Sequence, residues 1–490
     1  MKIEKIIFMC LIILVLLVST VCADDVENEV ENDIENQIVE ASAKIQDFPN
    51  INSRRYVVFD RTSKQVLFGK NENVKGAMAS TTKIMTAIVV LENANLDEEV
   101  QVSTKSAGTG GSRLGLKTGD KITINNLLYG LMLRSGNDAA VALAESVGGS
   151  VSEFADMMNE KAKELHLTST HFVTPHGLDN SEHYTTAVEL AKIADYAMEN
   201  EMFCKIVGTK IATIYINGYE KQIANTNELL GNLNGVVGIK TGFTNNAGRC
   251  LVTETRRDNM DIIVVVLGAD TKKFRTQDSV KLIEYTYSNY EMVDVENLIK
   301  NEFENWKNIN LQRIKIIKGK SNVINLRLSE IEIKQMAMNK SDIDKIKFET
   351  NCMTTLDAPI NENTKIGTMQ ISLDGKIIES VDLLTNEEIT KKEWKDYFAE
   401  LLKIFRVQTN YFEAINLELW QNILCRLCES DKLLAKMWFF QVETLQKCDK
   451  NIKKTCKNVI KALKNFTKMW FRCIIYVKLN IIKSGVMALW

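Results

Sequence analysis

Three short motifs carry side chains that together could transfer an acyl group. Ser80 and Lys83 open the apolar stretch STTKIMTAIVVLENA, which has good helix formers and neither Pro nor Gly. Positions i and i+3 share a helix face, so the Lys83 amine is brought near the Ser80 hydroxyl. A serine is a poor nucleophile until a base takes its proton, and a lysine serves when burial or a second cation lowers its pKa. The free N–H groups of a helix N-terminus also favour the negative charge that develops in acyl transfer. Alone, this SxxK fits equally well an N-cap serine with a solvated lysine.

Two further motifs follow in order. Fifty-two residues after Lys83, Ser135-Gly136-Asn137 forms a small polar turn between the apolar helical stretches of GLMLRSGNDAAVALAESVGG. Such a turn projects a hydroxyl and an amide into a cleft. At the end of LNGVVGIKTGFT stands Lys240-Thr241-Gly242, on a strand that carries the Lys and Thr side chains while Gly242 lets a ligand approach the backbone. KTG also occurs at Lys117-Thr118-Gly119, but Asp120 follows it and Gly-Asp reads as a turn into the next helix, so this copy is structural.

SxxK, SxN and KTG in this order are the signature of the penicillin-interacting serine acyltransferases. The sequence resembles the D-alanyl-D-alanine carboxypeptidases, the low-molecular-mass penicillin-binding proteins of serine peptidase family S11. The resemblance covers residues 54–384 and extends to ASTTKIMTA, FADMMNEKAKELHLTSTHFVTPHGLDN and GIKTGFTNNAGRCLV. Met78 replaces the usual Pro two residues before the nucleophile, which alters a turn and none of the chemistry. The resemblance implies that Ser80 forms the acyl-enzyme, Lys83 is its base, and Ser135 relays a proton to the departing D-alanine. It further implies that Asn137 binds the substrate's peptide amide and that Lys240 and Thr241 hold its terminal carboxylate. The backbone N–H groups of Ser80 and Phe243 would form the oxyanion hole. Arg275, in TKKFRTQDSVKLIEY, matches a family arginine that helps bind the carboxylate; its plain alternative is a charge on a helix surface. β-Lactams would acylate the same serine, and no metal or organic cofactor is implied.

The elements that must position these groups are legible more coarsely. RRYVVFDRTSKQVLFGKN, residues 54–71, reads as a hairpin around Asp60-Arg61-Thr62-Ser63. From residue 309 to 384 apolar and polar residues alternate between Gly and Asn/Asp turns, a small β-rich domain with no catalytic constellation. It resembles the C-terminal β domain of the same family, including Asp357-Ala358-Pro359-Ile360 and a turn at Gly367. The expected fold is therefore mixed α/β (α+β). A β-lactamase/transpeptidase-like catalytic domain, an antiparallel sheet covered by helices with a helical lobe bearing Ser135, precedes a small all-β domain and a helical tail.

The whole chain divides into residues 1–23, 24–45, 46–295, 296–386 and 387–490. The first segment is an uncharged run behind Lys2 and Lys5, ending Val21-Cys22-Ala23: a signal peptide cut after Ala23, or, uncleaved, a membrane anchor. Either way the chain is exported. A lipoprotein at Cys22 fits Ser19-Thr20-Val21 poorly. The second segment, DDVENEVENDIENQIVE and its continuation, is an acidic spacer. In the last, residues 401–490 carry 16 Lys/Arg against 6 Asp/Glu. Ile452, Cys456, Val459, Leu463, Phe466, Trp470, Cys473 and Val477 form an apolar stripe there, with lysines on the other face. A basic amphipathic helix of this kind suits an anionic membrane surface, and WKDYFAELLKIF, residues 394–405, is a second candidate. The same 3-4 repeat also fits a helical hairpin or coiled coil.

Composition removes other classes. With 61 basic and 63 acidic side chains among 490 residues the net charge is −2, so nothing global favours nucleic acid as a partner. Ten cysteines, half of them in the tail, make no disulfide framework, and Cys425-x-x-Cys428 lacks the second pair or His that a zinc set needs. His166, His171, His176 and His183 cluster in sequence, but their spacings do not place ligands one turn apart on a helix. His176 stays outside the catalytic set. A β-lactamase would share the three motifs, but the glutamate-bearing loop of the class A enzymes is not identifiable. A non-catalytic wall-binding protein has no support while Ser80 and Lys83 are both present. The partners implied are peptidoglycan stem peptides ending in D-Ala-D-Ala, and the sequence sets no oligomeric state.

Overall fold

The computed structural model describes residues 47–401 and 403. It divides into two bodies, the first reaching Thr390 and the second starting at Lys391. The signal segment, the acidic spacer, the basic stripe from residue 452 and the Cys425/Cys428 pair lie outside the described residues.

At the centre of the first body is an antiparallel sheet of β1 (Arg55–Asp60), β2 (Gln65–Lys70), β3 (Val236–Thr244), β4 (Gly248–Arg257) and β5 (Met260–Ala269), in the order β2-β1-β5-β4-β3. The hairpin read from residues 54–71 is β1–β2. β5 is buried along almost its whole length because both faces of the sheet are covered, so Ile262 to Leu267 form an unbroken apolar run. Strand alternation sorts the side chains. Val57, Phe59, Val252, Ile263 and Val265 enter one core with most of the helices. Tyr56, Val58, Leu251, Val264 and Val266 enter a second core, under the helix Lys272–Asn289.

The longer helices of the first core are α1 (Lys83–Asn93), α2 (Ile124–Leu133), α3 (Asn137–Gly148), α4 (Val151–Glu164) and α5 (Ala187–Ala197), joined by the short helix Glu201–Val207; Lys272–Asn289 is α6. As its apolar sequence requires, α1 is buried from Lys83 through Val90. Ser80 does not sit on this helix. Ala79–Thr82 forms a 3₁₀ turn, and the α-helix begins only at Lys83.

The second domain opens on a ribbon and a helix that the alternation of residues 309–384 does not announce. β6 (Tyr290–Asp294) leads into α7 (Val295–Asn310), whose Val295, Ile299 and Phe303 enter the second domain's own core. The sheet that follows pairs β7 (Leu326–Leu328), β9 (Lys347–Cys352), β10 (Lys365–Leu373) and β11 (Lys376–Thr385) in the order β7-β11-β10-β9. Gly367 lies inside β10 at a register shift and not in a turn.

The two domains are spliced by one two-stranded ribbon, β6 with β8 (Gln335–Asn339). Its alternation sends Tyr290, Met292 and Ala337 into the core beneath α6, and Val293, Met336 and Met338 into the second domain's core. The Ala337 N–H also donates to Asp60 Oδ2 at 3.0 Å, and the same carboxylate accepts from Ser63 Oγ at 2.6 Å. The chain thus changes domain around residue 290, with α7 belonging to the second.

Candidate active site

Ser80 and Lys83 are separated by one 3₁₀ turn, and Lys83 Nζ lies 2.8 Å from Ser80 Oγ. Ala79, immediately before the serine, has φ +52°, a left-handed conformation uncommon for a residue with a side chain. The edge strand β3 packs against this turn. A Cβ on Gly242 would stand 3.1 Å from the Ser80 backbone N and 3.2 Å from Ala79 Cβ. Gly242 therefore permits the close approach of the KTG strand to the serine.

Lys83 is fully buried and has no carboxylate beside its amine. It donates to Ser80 Oγ, to Asn137 Oδ1 at 2.7 Å and to the His176 carbonyl at 3.0 Å. Burial first, and then the charge of Lys240, pull its pKa well below the ordinary lysine value, against the attraction of Asp138. Lys240 is equally buried, with its amine donating to the Thr241 carbonyl at 3.0 Å. Burial and then the Arg275 charge lower it to about 7. The site thus gathers cations without giving the two lysines an anion, which keeps a neutral amine within hydrogen-bond reach of a hydroxyl.

The SxN turn joins α2 to α3, as its sequence demands. Ser135 has φ +58° and is nearly buried, and Asn137 is the first residue of α3. Asn137 is engaged at both ends, since its Nδ2 donates to the Gly110 carbonyl at 2.7 Å while Oδ1 accepts from Lys83. A second lone pair on Oδ1 remains for a substrate N–H. Asp138, a residue that sequence reading passed over, accepts from the backbone N–H groups of Leu114, Gly115 and Leu116 at 2.7–3.0 Å. It ties residues 114–116 to the SxN turn.

Thr241 shares a 2.7 Å hydrogen bond with Thr226. Phe243 is half exposed, with the Arg249 guanidinium 3.7 Å from its ring centroid. Arg275 is on α6 but not on the protein surface: its guanidinium is buried and donates to Glu228 Oε1 at 2.7 Å. Thr276 donates to the same oxygen, and Lys272 pairs with Oε2. Arg275 Nε has no partner among the described residues, although it is buried. No sequence signal marked Glu228, which stands 47 residues before Arg275.

The histidines separate. His176 and His183 are buried beside the nucleophile turn, and burial lowers them to about 3 and about 4. His176 touches Lys83 only through its carbonyl. Among the described residues no group of three or more His, Cys, Asp or Glu side chains is arranged to hold a metal. The second KTG, at Lys117, is an exposed turn in which the Lys117 N–H donates to Asp120 Oδ2 at 2.7 Å.

A half-buried serine beside a fully buried lysine, beneath the edge strand of a helix-covered antiparallel sheet, defines the serine acyltransferase class. The chain belongs, within that class, to the D-alanyl-D-alanine carboxypeptidases, the S11 serine peptidases of peptidoglycan metabolism. The model of that family matches residues 41–271, and that of the C-terminal domain of penicillin-binding protein 5 matches residues 307–391. The D-alanyl-D-alanine carboxypeptidase DacF of Bacillus subtilis is 34% identical over 341 residues, covering 68% of this chain and 85% of its own. The crystal structure of DacD from Francisella tularensis superposes with a TM-score of 0.57 at 26% identity, covering 71% of this chain and 97% of that one. Penicillin-binding protein 5 of Haemophilus influenzae gives 0.56 at 28%, covering 70% and 99%.

Proposed function

We propose that Ser80 attacks the carbonyl of the penultimate D-alanine of a peptidoglycan stem peptide. Its proton passes to Lys83, and the Ser80 oxygen bonds to the carbonyl carbon. The new oxyanion is held by the backbone N–H groups of Ser80 and Phe243, donors typically worth ~2.7–4 kcal/mol each. As the intermediate collapses, Ser135 relays the proton to the amine of the terminal D-alanine, which leaves. Water then hydrolyses the acyl-enzyme and restores Ser80. Lys240, Thr241 and Arg275 hold the terminal carboxylate, and Asn137 Oδ1 accepts from the substrate amide while keeping Lys83 aimed at Ser80. A β-lactam acylates the same serine.

The observation that carries this reading is the 2.8 Å approach of the buried, carboxylate-free Lys83 amine to Ser80 Oγ. The unpartnered Arg275 Nε supports a carboxylate site beside Lys240. The second domain speaks against a stand-alone β-lactamase. Incubation with a peptide ending in D-Ala-D-Ala should release free D-alanine, and Ser80→Ala should release none. After penicillin treatment, mass spectrometry should find the adduct on the peptide containing Ser80; an adduct elsewhere overturns the assignment.

The same reading puts the protein outside the cytoplasm, against the membrane. In the second body residues 394–401 are helical, with Trp394, Tyr397, Phe398 and Leu401 exposed at the spacing of one helix face. No helix among the described residues is long and apolar enough to cross a membrane. That face suits the membrane surface. If the signal is cleaved, deleting residues 390–490 should release the protein from membranes, and retention would contradict the tail anchor.

A further inference from the structure

His183 belongs to none of the three motifs, yet it is buried against the nucleophile turn and both ring nitrogens are used. The Val173 N–H donates to Nδ1 at 3.0 Å, so Nδ1 carries no proton. The proton is on Nε2, which donates to Thr82 Oγ1 at 2.8 Å. Thr82 Oγ1 in turn donates to the Ala79 carbonyl oxygen at 2.8 Å. That oxygen belongs to the peptide plane whose other end is the Ser80 N–H. In a trans peptide the carbonyl and the N–H point in opposite directions, so whatever fixes the one aims the other.

The loop closes over this carbonyl and its donor at Gly177, where φ is +81° and any Cβ would collide with both the Ala79 oxygen and the Thr82 hydroxyl. Thr86 Oγ1 donates to the Pro175 carbonyl at 2.6 Å, so the loop between Val173 and His183 is fastened to α1 as well. The Phe172 ring packs edge-on against the imidazole with centroids 5.7 Å apart. Burial first, and then the charges of His171 and Lys83, keep His183 neutral against the opposing Asp179.

We propose that His183 is a positioning residue for the oxyanion hole: its Nε2–H directs the Thr82 hydroxyl onto the Ala79 carbonyl and thereby aims the Ser80 N–H. The inference rests on Ser80 being the nucleophile. It takes a histidine that looks like loop packing and gives it a hydrogen-bonded line to one of the two oxyanion donors.

The test compares the full chain with His183→Gln, His183→Phe, Thr82→Ser and Thr82→Val. For each, the acylation rate constant with a fluorescent penicillin and kcat and KM with a D-Ala-D-Ala peptide are measured. His183→Phe fills the volume without donating and should lose about ten- to hundredfold in acylation and kcat, the size of loss that a misaimed donor causes, with KM within about twofold. His183→Gln can accept from Val173 and donate to Thr82, and should stay within about threefold of the unmutated protein. Thr82→Val should fall with His183→Phe and Thr82→Ser should not, a pair that decides the matter if His183→Phe does not fold. Unmutated acylation in both His183→Phe and Thr82→Val, a loss confined to KM, or a Gln variant as poor as the Phe variant overturns the proposal. The penicillin adduct on unmutated protein is mapped first: an adduct away from Ser80 removes the nucleophile assignment itself, whereas an adduct on Ser80 with indifferent His183 variants removes only this inference.

Discussion

Arg61, largely buried, and Lys83, fully buried, are both basic side chains of the catalytic domain, and their surroundings are opposite. Arg61 donates to Asp195 at 2.9 Å, to Glu254 and Asp261 at 3.0 Å each, and to Glu199 at 3.1 Å. Those carboxylates outweigh its desolvation and push its pKa up. Lys83 has three neutral acceptors, and the charge that influences it most is a second lysine. One cluster spends its charge on holding β1, β4, β5 and α5 together. The other withholds the counter-ion, and the uncompensated burial is what leaves an amine unprotonated, and so free to take a proton, at neutral pH.

The comparison predicts opposite signatures for removing a cation from each cluster. Lys240→Met should lower acylation by penicillin on the order of 10²–10³-fold, as loss of one electrostatic contact to substrate does. The same change should raise stability, because folding no longer buries an ammonium. Since the folded pKa of about 7 lies below the unfolded 10.5, the lysine's penalty is full below about pH 7 and is relieved as pH rises toward 10.5. The stability gain of Lys240→Met, measured by denaturant unfolding, should therefore be largest at or below pH 7 and vanish near 10.5. A variant destabilised at pH 7 would mean that the lysine is structurally paired after all.

Arg61→Met should do the reverse. It takes one of two cation partners from Glu254, leaving only the half-exposed Arg256; the Glu254 side chain is fully buried, and burial and Asp261 already push its carboxyl up to about 7. Breaking a buried pair costs about 3–5 kcal/mol when the remaining charge is left uncompensated, and Arg256 holds the loss below that range. Acylation per folded molecule, titrated with penicillin at a temperature where the variant is native, should be unchanged. A parallel loss of acylation would show that the two clusters are not independent.

How far the sequence disclosed this contrast depends on the distance between partners. Ser80 and Lys83 are three residues apart, and that spacing brings them together on a 3₁₀ turn as well as it would on the α-helix expected there. Ser135, Asn137 and Lys240 were recognisable because each lies in a short motif whose local structure, a helix–helix turn or an edge strand, follows from its own sequence. Arg275 was located by resemblance, but its burial was not, because its partner Glu228 comes from a distant loop. His183 and Thr82 are 101 residues apart, and nothing in either neighbourhood encodes their contact. At the domain level, alternation reveals the second sheet, whereas α7, with apolar positions four apart at Val295, Ile299 and Phe303, carries no alternating signal.

The smallest expected effect isolates the field inside the catalytic cluster. Lys83 acts as base only when neutral, and Lys240 holds a carboxylate only when charged. The profile of kcat/KM, which reports the free enzyme, should therefore rise with pH as Lys83 loses its proton and fall again as Lys240 loses its own, near 7. After burial, the charge of Arg275 is what depresses Lys240. Arg275→Gln should raise KM and also move the falling limb to higher pH, by up to about one unit, since a nearby cation no longer disfavours the ammonium. In Arg275→Gln with Glu228→Gln a cation and its anion leave together, so the limb should move less than in the single variant. A falling limb indifferent to Arg275 would assign it to another group, and Lys240 would then owe its lowered pKa to burial alone. A limb that moves as stated would mean that Arg275, beyond holding substrate, sets the pH up to which Lys240 stays charged, a coupling between cations for which the carboxylate-ringed Arg61 cluster has no counterpart.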